Sequence, residues 1–239
     1  MQCVILAGGR GTRLWPLTRT IPKALVPING RPFADYQLAW LARQSLADVV
    51  YSVGFLGEQI ERHVGDGSAF GLEVRYVREG DNLMGTAGAL RLALDAGLLA
   101  DAFFVLYGDS FLPIAFSPVE AAYRSSGRPA LMTVLRNQDK WDRSNVIFTP
   151  PMITLYDKHC TDEATRARMA FIDYGLSVIS RDVIAERIRA GARSDLADLF
   201  RHLSLAGKLA GFEVSERFYE VGSTEGIAEF SRYVTESGV

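Results

Sequence analysis

The sequence predicts an α/β fold: a mixed, mainly parallel sheet flanked by helices, with a small antiparallel elaboration in the second half. Three observations lead there. Short all-apolar runs, such as Val4 to Ala7 and Phe103 to Leu106, are soon stopped by glycine, as strands buried on both faces are. Through residue 136 these runs alternate with stretches whose apolar residues recur at helical spacing. After Arg136 the rhythm changes, and three strand-like runs follow with no long helix between the first two.

In chain order, Val4 to Ala7 is the first strand, and Phe33, Tyr36, Trp40 and Leu41 fall on one face of a helix. Val49 to Val53 reads as a strand, Gly57 to Val64 as a short helix, and Leu72 to Val77 as a third strand. Thr86 to Ala96 is a helix with Leu90, Ala93 and Leu94 on one side. After the strand at Phe103 to Leu106, Ser117-Pro118 opens a helix by cap chemistry, with proline tolerated in the first turn. Leu131 to Leu135, Asn145 to Phe148, Ile153 to Tyr156 and Phe171 to Ile179 are strands. Two helices (Asp182 to Ala190 and Leu196 to Ala206), a strand at Leu209 to Val214 and a helix from Thr224 complete the chain. No Pro/Gly/Ser-rich linker divides it, so one domain over 1–239 is expected.

The bulk numbers exclude several function classes. At 48% hydrophobic and 23% charged, the chain can build a core without metal or disulfide staples. A net charge of −2 without any block of like charges argues against a surface that wraps nucleic acid. No apolar run approaches the roughly 20 residues needed to span a bilayer. The N-terminal apolar run breaks at once into glycine and arginine, unlike a secretory leader. Cys3 and Cys160 are far apart and lack metal spacing, so two free thiols in a reducing compartment are expected. The expectation is a cytoplasmic protein with no membrane or nucleic-acid partner, and a homo-oligomer remains open. His63, His159 and His202 show no ligand spacing.

The chemistry concentrates after the first strand. Leu6-Ala7-Gly8-Gly9-Arg10-Gly11-Thr12-Arg13 carries three glycines, which let backbone N–H groups approach an anion, and Arg13 adds a planar donor suited to phosphate oxygens. It is not a Walker loop, because no Gly-Lys-Ser/Thr follows. Nor is it the dinucleotide fingerprint, because position 14 is leucine rather than glycine, which argues against a dehydrogenase. Lys23 follows ten residues after Arg13 and by itself reads as a surface lysine.

The whole string LAGGRGTRLWPLTRTIPKALVPINGRP closely resembles the signature of the sugar-1-phosphate nucleotidylyltransferases, G-x-G-T-R-L-x-P-L-T followed by P-K-x-L-x-P-I. The resemblance runs along the chain, more weakly after Arg136. It implies a Rossmann-like fold in which a nucleotidyl group passes from an NTP to a sugar 1-phosphate, with release of pyrophosphate. It places the nucleotide on Leu6, Ala7, Gly8, Gly9, Gly11 and Thr12, the triphosphate on Arg13, and the reacting phosphates on Lys23.

Gly85-Thr86-Ala87-Gly88-Ala89-Leu90 is similar to the family's base-pocket segment, with Gly85 and Thr86 against the nucleotide. The family's base-reading acid or amide stands five residues earlier, where this chain has Gly80. Glu79 is the expected base reader and Asp81 a competing acid. Asp109, just past a buried strand, matches the family's metal-ligand aspartate, and Glu220 stands where a second aspartate is usual. Mg²⁺ is thus the implied cofactor, while pairing of Glu220 with a neighbouring arginine stays open.

Asn145, the Asp157-Lys158 pair and Asp173 stand at positions similar to those that shape the family's sugar site. An exposed charged turn is an equal reading for Asp157-Lys158, whereas Asp173 interrupts an apolar strand. The Leu14 to Leu17 run resembles mannose-1-phosphate guanylyltransferases. The compact length resembles heptose 1-phosphate guanylyltransferases and muramic acid 1-phosphate uridylyltransferases, and a GDP- or UDP-linked sugar other than glucose is expected. No appended acyltransferase domain is expected. Two alternatives keep the fold: a cytidylyltransferase acting on a non-sugar phosphate or phosphonate, and a catalytically silent nucleotide-sugar-binding regulatory subunit.

Overall fold

The computed structural model describes residues 1–80, 82–137 and 139–239. In chain order its first half comprises β1 (Gln2–Ala7), β2 (Pro27–Ile28), β3 (Arg31–Pro32), α1 (Phe33–Arg43), β4 (Asp48–Val53), α2 (Gly57–Val64), β5 (Glu73–Arg78), α3 (Gly85–Asp95), β6 (Ala102–Tyr107), β7 (Ser110–Phe111) and α4 (Ser117–Ser126). The second half comprises β8 (Ala130–Arg136), β9 (Val146–Thr149), β10 (Met152–Tyr156), α5 (Glu163–Arg166), β11 (Phe171–Ser180), α6 (Arg181–Arg187), α7 (Leu196–Leu205), β12 (Leu209–Val214), β13 (Tyr219–Glu220) and α8 (Thr224–Ser237).

Nine strands form one sheet in the order β5-β4-β1-β6-β11-β8-β12-β10-β9. β5, β4, β1 and β6 are mutually parallel, as the buried apolar runs predict. β8 and β12 also pair in parallel. The antiparallel content is more than an appendage. The β9–β10 hairpin closes one edge, but β11 runs through the middle of the sheet, antiparallel to both β6 and β8. Strand periodicity reports burial and not direction, so this insertion is invisible in the pattern.

Alternate residues of β1 feed two cores. Cys3 and Ile5 pack with Leu38, Leu41, Ile60 and Val119 from α1, α2 and α4. Val4 packs with Leu90, Ala93, Ile184 and Leu199 from α3, α6 and α7. The sheet is therefore covered on both faces, the arrangement that parallel strands require. A third, aromatic cluster joins α1 to α8. Phe33 meets the Phe230 ring edge-on at 5.2 Å, and Val221 is buried with them. That cluster carries β13 to the site described below.

Two local expectations change. Ser117 does not cap α4: Phe116 occupies the N-cap position without a side-chain hydrogen bond, and only Pro118 behaves as predicted. The helix expected at 182–190 ends at Arg187, and α5, capped by Asp162, is an added short turn. Both cysteines are free. Among the described residues no helix is long and apolar enough to cross a membrane.

Candidate active site

The loops after β1 and β6 leave the sheet side by side, because the two strands pair in register with Leu6 opposite Tyr107. The open end of a parallel sheet beyond its strand C-termini is where α/β folds bind ligands. Gly108 is required for this closeness. It donates its N–H to the Leu6 carbonyl at 2.9 Å, and a Cβ there would lie 2.7 Å from that of Ala7. Asp109 follows, so its carboxylate is delivered beside the glycine loop. Within that loop Gly11 adopts φ +61°, and Thr18 Oγ1 donates to its carbonyl at 2.7 Å, fixing the turn.

A cleft of about 290 Å³ opens here. Leu6, Ala7, Gly8, Gly9, Gly11, Lys23, Glu79, Gly85, Thr86 and Asp109, all singled out by the sequence, line it. Ala24, Leu83, Tyr107 and Arg193 line it too and were not singled out. Tyr107 could have been found as the last residue of the strand that ends at Gly-Asp. Arg193 has no local signal, since its loop reaches the cleft only through tertiary packing. A larger hollow of about 550 Å³ lies outside the loop among Arg10, Phe55, Arg62 and Arg78, and it lacks the lysine and aspartate.

Lys23 Nζ donates to Asp109 Oδ2 at 2.5 Å, both side chains being about one-fifth exposed. Thr12 and Arg13 stand outside the cleft lining. The Arg13 guanidinium nevertheless lies against the same residue as Lys23: a Cβ on Gly222 would stand 3.1 Å from Arg13 Nη2 and 3.6 Å from Lys23 Nζ. The 13-23-222 grouping thus gathers two cations at the Asp109 end.

Glu220 joins them through a two-stranded ladder. β13 pairs antiparallel with β7, placing Glu220 opposite Ser110, and Val221 donates its N–H to the Asp109 carbonyl at 2.9 Å. Glu220 keeps solvent access as a residue. Even so, surrounding protein desolvates its carboxyl and, with the Asp109 carboxylate, pushes it up to about 7, against the pull of Lys23 and Arg13. It forms no ion pair with an arginine among the described residues; its field comes first from Asp109 and Lys23.

Glu79 stands at the other side of the glycine loop, after β5. Its carboxyl rests on Gly8, where a Cβ would meet Oε1 at 2.0 Å, and Oε2 accepts the Met84 N–H at 2.8 Å. Burial raises its pKa, opposed by that N–H. Asp81 lies outside the described residues. The start of α3 is already occupied. The Ala87 and Gly88 N–H groups donate to the Ser194 carbonyl, and Thr86 Oγ1 donates to Asp195 while accepting the Leu196 N–H at 2.8 Å. Gly85, at φ +75°, admits Ser194 where a side chain would collide at 2.5 Å. This packing is what brings Arg193 over the cleft.

Of the other four expected residues, Asp173 lies on β11, Asn145 just before β9, and Asp157 and Lys158 just after β10. Asn145 Oδ1 accepts the Asp173 N–H at 3.0 Å, and its carbonyl accepts the Asp157 N–H at 2.9 Å. β11 is bulged between Asp173 and Ser177, and Gly175 takes φ +99° there. The Gly175 N–H donates to Asp173 Oδ1 at 3.0 Å. Burial pushes the Asp173 carboxyl up to about 6, opposed by that N–H and by exposed Lys158. Tyr107 links the two regions: burial, then the charges of Asp173, Asp195 and Asp109, hold its hydroxyl far above the ordinary range. Asp157 is differently engaged, accepting from the His159 N–H and from Arg201 Nε, both at 3.0 Å.

The family model described as Nucleotidyl transferase matches residues 2–144, the stretch that supplies the glycine loop, Lys23, Glu79 and Asp109. The chain belongs to the nucleotidyl transferase family. Among relatives of this nucleotidyl transferase, the UTP--glucose-1-phosphate uridylyltransferase of a Synechocystis strain is 29% identical over 221 residues, covering 87% of this chain and 56% of that protein. The N-acetylmuramate alpha-1-phosphate uridylyltransferase of Neisseria meningitidis is 38% identical over 117 residues, covering 49% of this chain and 50% of that one. The chain thus spans about half the length of these curated relatives. Crystalline HddC from Yersinia pseudotuberculosis superposes with a TM-score of 0.77 at 20% identity, covering 97% of this chain and 98% of that one, which establishes the fold.

Proposed function

We propose that this nucleotidyl transferase joins an NTP to a sugar 1-phosphate, giving a nucleotide-sugar and pyrophosphate. The observation that carries the reading is the Lys23–Asp109 pair, with Arg13 and Glu220 beside it, at the mouth of a glycine-lined cleft beyond parallel strands. One sheet built from both halves of the chain also supports treating 1–239 as a single catalytic domain.

The chemistry needs no protein nucleophile. An oxygen of the sugar phosphate attacks the α-phosphorus; the new P–O bond forms as the bond to pyrophosphate breaks, and the leaving group departs with that electron pair. Two anionic phosphates repel as they approach, so positioning and charge neutralisation dominate the barrier. Lys23 exchanges its contact with Asp109 for the reacting phosphate. Arg13, alongside, steadies the departing β- and γ-phosphates with a planar donor set. Leu6, Ala7, Gly8, Gly9 and Gly11, with Gly85 and Thr86, form the nucleotide's bed, Thr12 extends the loop beyond it, and Glu79 meets the base. Asn145, Lys158 and Asp173 serve the sugar, Asp173 through the orientation that the bulge imposes. Arg193 lines the same cleft.

The donor set also fits Mg²⁺. Asp109 and Glu220 bring two carboxylates together beside a phosphate site, and among the described residues no group of three ligating side chains competes. Hard oxygen ligands completed by water and substrate phosphates are what Mg²⁺ takes. When bound there, the ion would neutralise charge on the phosphates.

The test is pyrophosphate release with Mg²⁺ over a panel of NTPs and sugar 1-phosphates. Release with one pair supports the reading and names both substrates. Nucleotide binding without release from any sugar phosphate refutes it in favour of another acceptor or a silent binding subunit.

A further inference from the structure

We propose that the cleft selects guanine, so that the donor is GTP. The inference rests on the reading of this cleft as a nucleotide site, and its chemistry comes from the Glu79 end. Glu79 follows β5 and Asp109 follows β6, on opposite flanks of β1 and three inter-strand spacings apart. The Glu79 side chain reaches back over Gly8 into the cleft that Lys23 and Asp109 also line, so a nucleotide lies along the glycine loop with its phosphates toward Lys23 and Asp109. The base then falls beside Glu79.

At that end the Glu79 carboxyl stands beside the apolar side chain of Leu83, and Thr86 and Arg193 line the same cleft. Leu83 lies against Gly54, where a Cβ would stand 2.8 Å from both Leu83 Cδ2 and the Gly8 carbonyl. Around Gly9 a Cβ would meet nothing within 4 Å, so the cleft is open there. The Glu79 carboxylate is pinned at Oε2 by the Met84 N–H, while Oε1 lies over Gly8 and accepts no hydrogen bond among the described residues. An ionised carboxylate is acceptor-only and offers two oxygens side by side.

Guanine presents two adjacent donors on one edge, N1–H and the exocyclic N2 amine, which match that pair of oxygens. Uracil and thymine present a single N–H between two carbonyls. Cytosine and adenine present an amine beside a ring acceptor. Each of these turns at least one lone pair toward a carboxylate oxygen, and a half-desolvated charge left imperfectly paired is costly.

Calorimetric titration of the chain with GTP, ITP, UTP, dTTP, CTP and ATP, each with Mg²⁺, tests this without knowledge of the acceptor. GTP is expected to bind at least about 10-fold more tightly than any other nucleotide. ITP, which lacks only the exocyclic amine, is expected to fall behind GTP by about 10-fold or more. Glu79→Gln, which keeps an acceptor for the Met84 N–H, is expected to shrink the GTP/ITP gap to under about 3-fold at an unchanged melting temperature. Another nucleotide matching GTP, equal binding of GTP and ITP, or a gap that survives Glu79→Gln overturns the guanine assignment and leaves the nucleotide site standing. Binding of none of the six overturns the nucleotide site itself. Should the variant fail to fold, the GTP/ITP comparison on the unaltered chain decides alone.

Discussion

Asp109→Asn separates the chemistry of the site from its stability. The substitution keeps the shape and removes one charge from the Lys23–Asp109 pair. Both side chains are about one-fifth exposed, between a surface pair and a buried one. Surface pairs contribute about 0–1 kcal/mol, and breaking a fully buried pair costs about 3–5 kcal/mol. Two features pull the cost toward the lower figure. Lys23 also faces Glu220, so it keeps a counter-charge, and Glu220 loses the repulsion of Asp109. A net loss of about 1 kcal/mol follows, or about 2–4 °C in melting temperature for a chain of this size. Activity should fall far more, because an electrostatic group poised at the reacting phosphates contributes about 100-fold or more to turnover. The assays are thermal melting and pyrophosphate release under saturating substrates. Near wild-type turnover would refute the placement of Asp109 at the reacting phosphates. A melting temperature lower by tens of degrees would refute the argument differently, since the lost activity would then reflect unfolding.

Lys23→Ala should likewise abolish most turnover with a native melting curve, and retention of turnover would remove the lysine from the mechanism. Glu220 has a folded pKa of about 7 against an ordinary 4.5, so its contribution to stability is fully present below about pH 4.5 and is lost as pH rises through about 7. Glu220→Gln should therefore flatten the pH dependence of stability across that window, and an unchanged profile would contradict the desolvation of Glu220 beside Asp109. Gly8→Ala pushes a methyl into the flexible Glu79 carboxyl, so stability should change by under about 1 kcal/mol while nucleotide affinity drops about 10-fold or more. Gly108→Ala meets the Ala7 Cβ and the Leu6 carbonyl, which cannot yield, and should cost about 1–3 kcal/mol in denaturant melts.

Much of this molecule follows from local pattern. The strands at β1, β4, β6 and β12 and the helix α2 stand where apolar runs and helical spacing put them, because burial on both faces or along one stripe writes a period into the chain. The glycine loop, Lys23 and Asp109 were legible because phosphate chemistry asks for particular residue types at element ends. Tertiary structure decided the rest. The antiparallel passage of β11 between β6 and β8 is a choice of partner, which periodicity does not encode. The meeting of Glu220 with Asp109 depends on β13 pairing with β7, which sets Glu220 opposite Ser110, and on the Phe33–Phe230 cluster that anchors α8. Arg193 enters the cleft only because Gly85 leaves room for Ser194. Asp157, expected at the sugar site, accepts from Arg201, a partner 44 residues away that no local pattern announces. Local chemistry is written in adjacent residues; which distant groups share a site is set by packing, whose terms involve residues far apart in sequence.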